Sequence, residues 1–279
     1  MTRIDYEITL ASPLHHGAGT SGNTSLLRTE DVILPDGRQA QVPFVSGNSI
    51  RHMLRSTLAW HAAKHLSIEE QSLPKPVIDL LWSGGAVSST DAVIDLDLYR
   101  RVDDLFPMLS LLGYAAKADI TAGTLEVSHL ALVCAENAWR YPGDHSFAEV
   151  PAARFRGEEF GTRHDTAGTA VDQFLDTVAA ATGTTQMIYD MQVLKPGSLM
   201  WGQIRLRHGA SDAQATVLQA ALTLAAPNGE VGLAAKNAVG FGTGIVNGWP
   251  VNDASVLEWE THLREHRDDI VALMMELGS

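Results

Sequence analysis

Cysteine and long apolar runs are scarce in this chain, and each scarcity excludes a class of protein. The single cysteine among 279 residues, Cys134, rules out an internal disulfide and fits a reducing cytoplasm. Because Cys134 lies in an apolar run, we expect a buried, inert thiol. The longest strongly apolar stretch, residues 218–226, is too short to span a bilayer, and residues 1–7 contain no apolar signal region. We therefore expect a cytoplasmic protein with no membrane partner.

Positive charge is also scarce. The chain has 20 Lys and Arg against 33 Asp and Glu, a net charge of −13, which argues against simple nucleic-acid binding because such binding usually needs a basic footprint. The charge is uneven, however: residues 1–64 hold six basic and five acidic side chains, a net +1, so the other 215 residues carry −14. A local groove can still bind RNA while the acidic remainder discourages non-specific binding and favours basic partners.

Hydrophobic residues make up 45% of the chain, which predicts an ordered globular protein. Alternating apolar side chains predict strands at 4–10, 123–134, 186–194 and 199–207, the last two joined by a tight turn at 195–198. Helical spacing and the positions of proline predict helices at 49–65, 212–226 and 253–275, a helix at 95–114 that kinks or restarts at Pro107, and two short pieces within 68–82.

This order of elements predicts an α+β fold with an antiparallel sheet and helices on one face. We expect one domain over residues 1–279, with residues 253–279 forming a C-terminal helix. Residues 139–185 are the least regular part, and a stretch of this length inside a compact domain indicates an insertion with its own role. Four basic residues in this insertion are candidate RNA ligands: Arg154, Arg156, Arg163 and His164. A surface loop with solvated arginines is the alternative interpretation.

The most informative pattern lies near the N-terminus. A bend with the sequence Pro-Leu-His-His-Gly at 13–17 is followed by Arg28 in a polar loop and by a Ser-Gly-Asn-Ser turn at 46–49 that opens a helix. Arg51 and Arg55 are four residues apart and therefore share one helix face. The unpaired N–H groups and positive dipole of such a helix start suit a phosphate. A simple helix cap with two solvated arginines is the alternative.

A second glycine-rich segment, residues 236–244, lies near the C-terminus. It is not a dinucleotide-binding loop, because an extended stretch rather than a helix follows it. It is either a turn shaped by backbone geometry or a loop that lets the backbone approach an RNA strand closely. The second interpretation makes the segment's polar and glycine residues RNA ligands: Lys236, Asn237, Gly240, Gly242 and Gly244.

These two segments, in this order, resemble the RAMP superfamily of CRISPR proteins, which bind RNA on a ferredoxin-like (RRM-like) sheet. The family's helix motif has the form Pro-x-x-Pro-Gly-Ser-Ser-x-Lys-Gly-x-x-Arg, and residues 43–55 depart from it at positions that include Ser46, Arg51 and His52. The resemblance covers about the first 60 and last 50 residues. It implies that guide RNA is held by Arg28, Ser46, Asn48, Ser49, Arg51, His52, Arg55 and the glycine-rich loop, and that 139–185 is a thumb over the guide, in which Phe155 and Phe160 could act as apolar wedges.

Within the superfamily, residues 22–28 resemble the backbone subunit, the Cas-seven family, which polymerises along the guide. Members that cut target RNA carry an aspartate in this loop, and the matching position here is Asn23. An amide cannot carry a carboxylate's charge, so we expect no target cleavage, no metal and no cofactor. Glu30 and Asp31 could be proposed as substitutes, but a solvated acidic turn is the interpretation we prefer for them.

Histidines offer the main rival interpretation. His15, His16 or His52 could act as a general base, as in guide-processing RAMP endoribonucleases. His61 and His65 are four residues apart on one predicted helix, a metal-compatible spacing. No cysteine pair or His-Glu-x-x-His motif accompanies them, and so we expect no zinc site.

The sequence thus predicts a non-catalytic, guide-RNA-binding backbone subunit of a CRISPR ribonucleoprotein, by overall appearance of type IV. Its expected partners are guide RNA, a target DNA or RNA that pairs with the guide, further copies of the chain and other CRISPR subunits. An endoribonuclease and a globular protein of unrelated function remain as alternatives.

Overall fold

The computed structural model describes residues 3–69, 71–87, 95–117, 119–163 and 187–279. Within these ranges the strands are β1 Arg3–Leu10, β2 Gly17–Ser21, β3 Thr24–Leu27, β4 Thr29–Ile33, β5 Gln39–Val45, β6 Tyr114–Ala116, β7 Asp119–Thr121, β8 Leu125–Val127, β9 Leu130–Leu132, β10 Arg156–Arg163, β11 Met187–Leu194, β12 Leu199–Leu206, β13 Glu230–Gly232 and β14 Thr243–Asn247. The α-helices are α1 Gly47–His65, α2 Lys75–Ser83, α3 Leu96–Leu105, α4 Pro107–Leu112, α5 Asp212–Ala225, α6 Asp253–Glu265 and α7 Arg267–Leu277.

The main sheet has the order β13-β14-β1-β12-β9-β5-β4, and β8 also pairs with β12. Its strand pairs are antiparallel, with Tyr6 opposite Gly202 at the centre. Even-numbered side chains of β1, such as Tyr6 and Ile8, are buried in one hydrophobic core that also contains Leu54 of α1 and Leu218 of α5. The predicted α+β fold with an antiparallel sheet is therefore confirmed.

A second sheet has the order β10-β11-β3-β2, in which β11 runs parallel to β3. Of its antiparallel pair β10 and β11, β10 lies within 139–185, the segment that the sequence marks as an insertion, and β11 follows that segment. The helical run expected near 171–181 falls outside the described residues, as does His164.

The tight turn at 195–198 is present, but the hairpin expected around it is not. The Ser198 N–H donates to the Lys195 carbonyl over 3.2 Å, and Gly197 takes φ +83°. However, β11 belongs to the second sheet and β12 to the main sheet. At this turn Leu194 bonds Leu14 and Gly197 bonds Leu10. The N-terminal segment thus occupies the positions that a hairpin partner would have taken.

Several element boundaries differ from expectation. Three strands, β3, β4 and β5, form around Arg28, where the sequence predicted a polar loop, so Glu30 and Asp31 lie on a strand rather than in an acidic turn. The helix over 95–114 restarts at Pro107, as expected. The last helix is two helices, because the chain leaves helical geometry at His266. In the described part of 68–82 one helix forms instead of two pieces, since Pro74 occupies the N-cap position of α2 and Pro76 fits its first turn.

Cys134 is fully buried, and burial raises the pKa of its thiol to about 12. It is therefore protonated at neutral pH, which confirms the inert thiol expected from the sequence. Across the part of the chain that the structure describes, none of the helices combines the length and apolarity needed to cross a membrane.

Candidate nucleic-acid interface

The two glycine-rich segments, more than 200 residues apart in sequence, lie against each other. The Gly242 N–H donates to the Pro13 carbonyl over 2.7 Å, and the Ala235 N–H donates to the His15 carbonyl over 3.4 Å. Leu14 forms a bridge with Leu194, at the end of β11. The structure thus assembles the N-terminal bend, the C-terminal loop and the second sheet at one place.

The glycines of the C-terminal loop serve different purposes. Gly242 has φ +73°, and a Cβ there would lie 2.1 Å from the Leu233 carbonyl oxygen. A Cβ on Gly244 would lie 2.4 Å from Cγ2 of Ile8. Packing inside the protein therefore accounts for these two glycines, as the turn interpretation holds. Gly240, with φ +85°, is exposed and has open space around it, so its backbone is accessible to a ligand.

Strand β11 connects the residues of this interface. His15 Nδ1 lies 2.8 Å from the Gln192 carbonyl oxygen, and the Gln192 side-chain oxygen accepts from the Leu27 N–H over 3.1 Å. The Lys236 ammonium lies 4.9 Å from the centre of the Tyr189 ring, a cation–π contact. Sequence reasoning missed Gln192 and Tyr189, because nothing in their local pattern shows that β11 pairs with the N-terminal segment.

The start of α1 is occupied by the protein's own side chains. The Ser46 N–H donates to His16 Nε2 over 3.2 Å, and the Gly47 N–H donates to His129 Nδ1 over 3.1 Å. Ser46 Oγ caps the helix by accepting from the Ser49 N–H over 3.3 Å. This corrects the expectation that the N–H groups of 46–49 form a phosphate cradle, since these three already have partners. Asn48 is exposed.

His16 makes the helix start sensitive to acid. Burial lowers the pKa of His16 to about 4, with further lowering by Arg28, His15 and His129. An unfolded histidine has a pKa of about 6.5, so between these values the unfolded chain binds a proton that the folded chain does not. The contribution of His16 to stability is therefore complete above about pH 6.5 and falls as the pH drops toward 4.

We expect a His16→Gln variant to lose less stability than the wild type between pH 7 and pH 5. The amide can still accept from the Ser46 N–H but does not titrate. Urea unfolding at both pH values measures the difference. The pKa of His61 is also lowered, chiefly by burial, but that effect is common to both proteins. Equal pH sensitivity of variant and wild type would contradict the prediction.

Arg51 and Arg55 bind carbonyl groups inside the protein. Arg51 donates to the carbonyls of Leu125 and Leu112, and Arg55 donates to the carbonyls of Leu112 and Gly113 over 2.9 and 2.6 Å. Only 8% of Arg55 is exposed. Burial, followed by the charge of Arg51, lowers the pKa of Arg55 to about 10, so it remains charged at neutral pH. This corrects the expectation that two solvated guanidiniums face an RNA phosphate, because both are engaged by carbonyl groups of the protein.

The other predicted RNA ligands differ in how exposed they are. Arg28, His52, Arg154 and Asn237 are exposed, whereas Arg156 donates to the Gln41 carbonyl over 2.6 Å. Arg163 ends β10, and His164 lies outside the described residues. Of the two expected wedges, Phe155 is buried and packs against Phe147, while Phe160 is 72% exposed. Phe155 therefore belongs to the core.

A shallow groove of 370 Å³ lies at the base of the β10–β11 hairpin, lined by Arg156, Gly157, Glu158, Gln192 and Lys195. Lys195 Nζ donates to the Arg154 carbonyl over 3.1 Å, which holds its ammonium at this groove. The sequence identified Lys195 only as part of a turn. Its position beside Arg154 could not be inferred, because the sequence did not predict β10 or its pairing with β11.

Cations of the interface differ from most others in having no acidic partner. In the ranges that the structure describes, ion pairs neutralise Arg3, Arg38, Lys75, Arg100, Arg101, Arg140, Arg205, Arg207 and Arg267. Within the same ranges, Arg28, Arg154, Lys195 and Lys236 form no ion pair with a carboxylate. A net charge of −13 thus coexists with a set of cations around β11 that have no carboxylate partner in the described part of the chain.

The exposed face of the main sheet is unsuited to RNA. Asp5 and Glu7 alternate with the buried residues of β1 and so point to the face opposite the helices. Tyr141 covers part of this face, since its hydroxyl donates to Glu7 and its ring lies 6.1 Å from that of Trp201. Acidic groups and a covering segment stand where an RRM-like sheet would present its RNA-binding side chains.

The candidate catalytic histidines occupy different environments in the described part of the chain. His15 is buried, His16 accepts a backbone hydrogen bond, and His52 stands alone on the exposed side of α1. Glu30 forms an ion pair with Arg140. Asp190 lies next to Asn23. Its N–H donates to the Asn23 carbonyl over 3.3 Å, and its carboxylate accepts from the Thr24 hydroxyl over 2.7 Å.

Comparisons with known proteins identify the fold. No model of a known protein family matches the chain, and no curated protein sequence matches it. Among solved structures, a chain of a "Type IV-B CRISPR Complex" superposes with a TM-score of 0.58 at 22% sequence identity. The superposition covers 88% of this chain and 90% of that chain. The similarity in fold therefore extends over most of both chains.

Proposed function

We propose that this protein is an RNA-binding subunit of a type IV CRISPR effector complex and that copies of it line a guide RNA. The observation that carries the proposal is the superposition over 88% of the chain on a chain of a type IV-B CRISPR complex. The motif resemblance at residues 13–55 and 236–244 supports it independently, because it rests on residue types rather than on backbone shape. Together they favour an assembly subunit over a globular protein of unrelated function.

The proposed RNA-binding surface follows the junction of the N-terminal bend, the glycine-rich loop and β11. Arg28 and Lys236 supply free positive charge on either side of this junction, and Gly240 offers accessible backbone. Arg154 and Lys195 extend the charge toward the base of the hairpin. Phosphate contacts of this kind position an RNA strand without reading its sequence. Sequence recognition is then left to base pairing between guide and target.

We propose further that the subunit does not cleave nucleic acid. Asn23 stands where the resembling RNA-cutting proteins carry an aspartate, and the neighbouring Glu30 is neutralised by Arg140. Further copies of the chain and other subunits of the complex are the proposed protein partners. The acidic helices α6 and α7 are the part of the chain best suited to a basic neighbour, since residues 253–276 hold seven acids and two arginines.

A second candidate function, RNA cleavage, is favoured by one observation. The Asp190 carboxylate lies across the β3–β11 pairing from Thr24, beside the position of Asn23. A carboxylate from β11 could therefore replace the missing one from the loop. Loss of guide-dependent cleavage in an Asp190→Asn variant, with RNA binding retained, would establish this function instead.

The proposal is tested by expressing the chain with and without its guide RNA and measuring the mass and RNA content of the purified particle. We expect a multimer that contains RNA of uniform length only when the guide is present. A monomer free of nucleic acid in both cases, even at low salt, would contradict the proposal. A target strand complementary to the guide should bind and remain intact in the presence of Mg²⁺.

A further inference from the structure

Two histidines and a glutamate from two different helices converge at a site that shares no residue with the proposed RNA surface. His61 and His65 lie one turn apart on α1, and Glu260 lies on α6. Each histidine presents Nε2 toward the same carboxylate oxygen, Oε1 of Glu260, at 3.5 Å and 3.4 Å respectively. The three groups offer ligand atoms that all lie within 4.8 Å of one another.

These distances fit metal ligation better than direct contact. Zn²⁺ binds histidine nitrogen and carboxylate oxygen at about 2.0–2.1 Å, and tetrahedral geometry then places neighbouring ligand atoms about 3.3 Å apart. A hydrogen bond between imidazole and carboxylate would be shorter, near 2.8 Å. The spacing between Glu260 and each histidine nitrogen is therefore that of two ligands sharing one ion.

A second observation concerns His61 alone. Its Nε2 atom is buried and has no hydrogen-bond partner in the part of the chain that the structure describes. Buried polar atoms are normally satisfied, and an exception calls for an explanation such as an ion. Only 12% of the His61 side chain is exposed, against 17% for His65 and 23% for Glu260, so the cluster opens to solvent on the Glu260 side.

We propose that His61, His65 and Glu260 bind one divalent transition-metal ion, for which Zn²⁺ is the best match. Two imidazoles and one carboxylate favour Zn²⁺ over Mg²⁺ or Ca²⁺, which prefer oxygen ligands. Solvent supplies the fourth ligand. The ion joins α1, which begins beside the proposed RNA surface, to the C-terminal helix α6, and it thereby fixes the acidic C-terminal helices on the body of the domain.

The sequence alone did not support this site. The spacing of His61 and His65 is metal-compatible, but the third ligand is almost 200 residues away and no local motif announces it. Only the packing of α6 against α1 brings Glu260 into place.

The test is a titration of the full-length, chelator-treated protein with Zn²⁺ alone. We expect one saturable site per chain, and we expect His65→Gln and Glu260→Gln each to weaken it at least about tenfold. Both replacements are polar and similar in size, and circular dichroism establishes that each variant is folded. His208→Gln is the matched control, because His208 is exposed and lies outside the cluster, and its affinity should equal that of the wild type.

Two further measurements make the assignment specific. Co²⁺ in place of Zn²⁺ should give visible absorption typical of nitrogen and oxygen ligands in the wild type and lose it in both ligand variants. Saturating Zn²⁺ should raise the melting temperature of the wild type and of His208→Gln but not that of Glu260→Gln. The absence of a saturable site, or equal affinity in the wild type and both ligand variants, would overturn the proposal. None of these readouts depends on RNA binding.

Discussion

Replacing Arg28 and Lys236 together by glutamate is expected to weaken binding of a single-stranded guide RNA by at least about 100-fold at low salt. Neither cation has an acidic partner in the described ranges, so both charges are available to phosphates. Two lost phosphate contacts should also reduce the slope of log affinity against log salt by about 1.4, since each contributes about 0.7 for single strands. Fluorescence anisotropy across a salt series measures both quantities.

The fold should survive this double replacement. Arg28 is exposed, and the only contact that Lys236 loses in the described structure is the cation–π contact with Tyr189, worth about 0.5–1 kcal/mol. The matched control is Lys64→Glu with Arg264→Glu, which makes the same change in net charge at two exposed sites on the helices. If the control loses as much affinity as the test variant, net charge rather than this surface governs binding. Wild-type affinity in the test variant would exclude the surface.

Replacing Arg55 by methionine is expected to lower the free energy of unfolding by about 3–5 kcal/mol, because hydrogen bonds from charged donors contribute about 1.5–3 kcal/mol each. Methionine keeps much of the side chain's length but leaves the carbonyls of Leu112 and Gly113 without this donor. Only 8% of Arg55 is exposed, so water cannot readily replace it. Urea unfolding monitored by tryptophan fluorescence provides the measurement.

The control for Arg55 is His52→Ala on the same helix. His52 is exposed, and such a replacement should change stability by less than about 0.5 kcal/mol. If Arg55 instead binds a phosphate of the guide, Arg55→Met should have near-normal stability and should lose RNA affinity. That pattern would mean that the internal hydrogen bonds are dispensable and that the guanidinium faces the guide.

The elements of the fold that depend on local sequence patterns could be predicted. Alternating apolar residues gave β1 correctly, and Ser46 marked the start of α1. The sheet membership of β11 and β12 could not be predicted, because a tight turn between two strands is the usual signature of a hairpin. It is the long-range pairing of Leu14 with Leu194 and of β1 with β12 that separates them.

The candidate site was predicted less well than the fold, for a related reason. Residue type indicated which side chains could bind phosphate, but not which of them already bind other groups of the protein. Arg28 and Arg55 are indistinguishable in sequence as basic residues of a motif, yet one is exposed and the other donates to two carbonyls. Whether a cation is free depends on its partners in space, such as the backbone of α4 for Arg55.

The contacts made where the chain passes between its two sheets limit how this sequence can change during evolution. The N-terminal bend and β11 are joined by side-chain contacts in both directions, with Gln192 bonded to His15 and Leu27, and Asp190 bonded to Thr24. A substitution on one side removes a donor or acceptor that the other side requires. Positions 24 and 190 should therefore covary among relatives, because that contact joins two side chains, whereas the contacts of His15 and Leu27 with Gln192 each use a backbone group on one side.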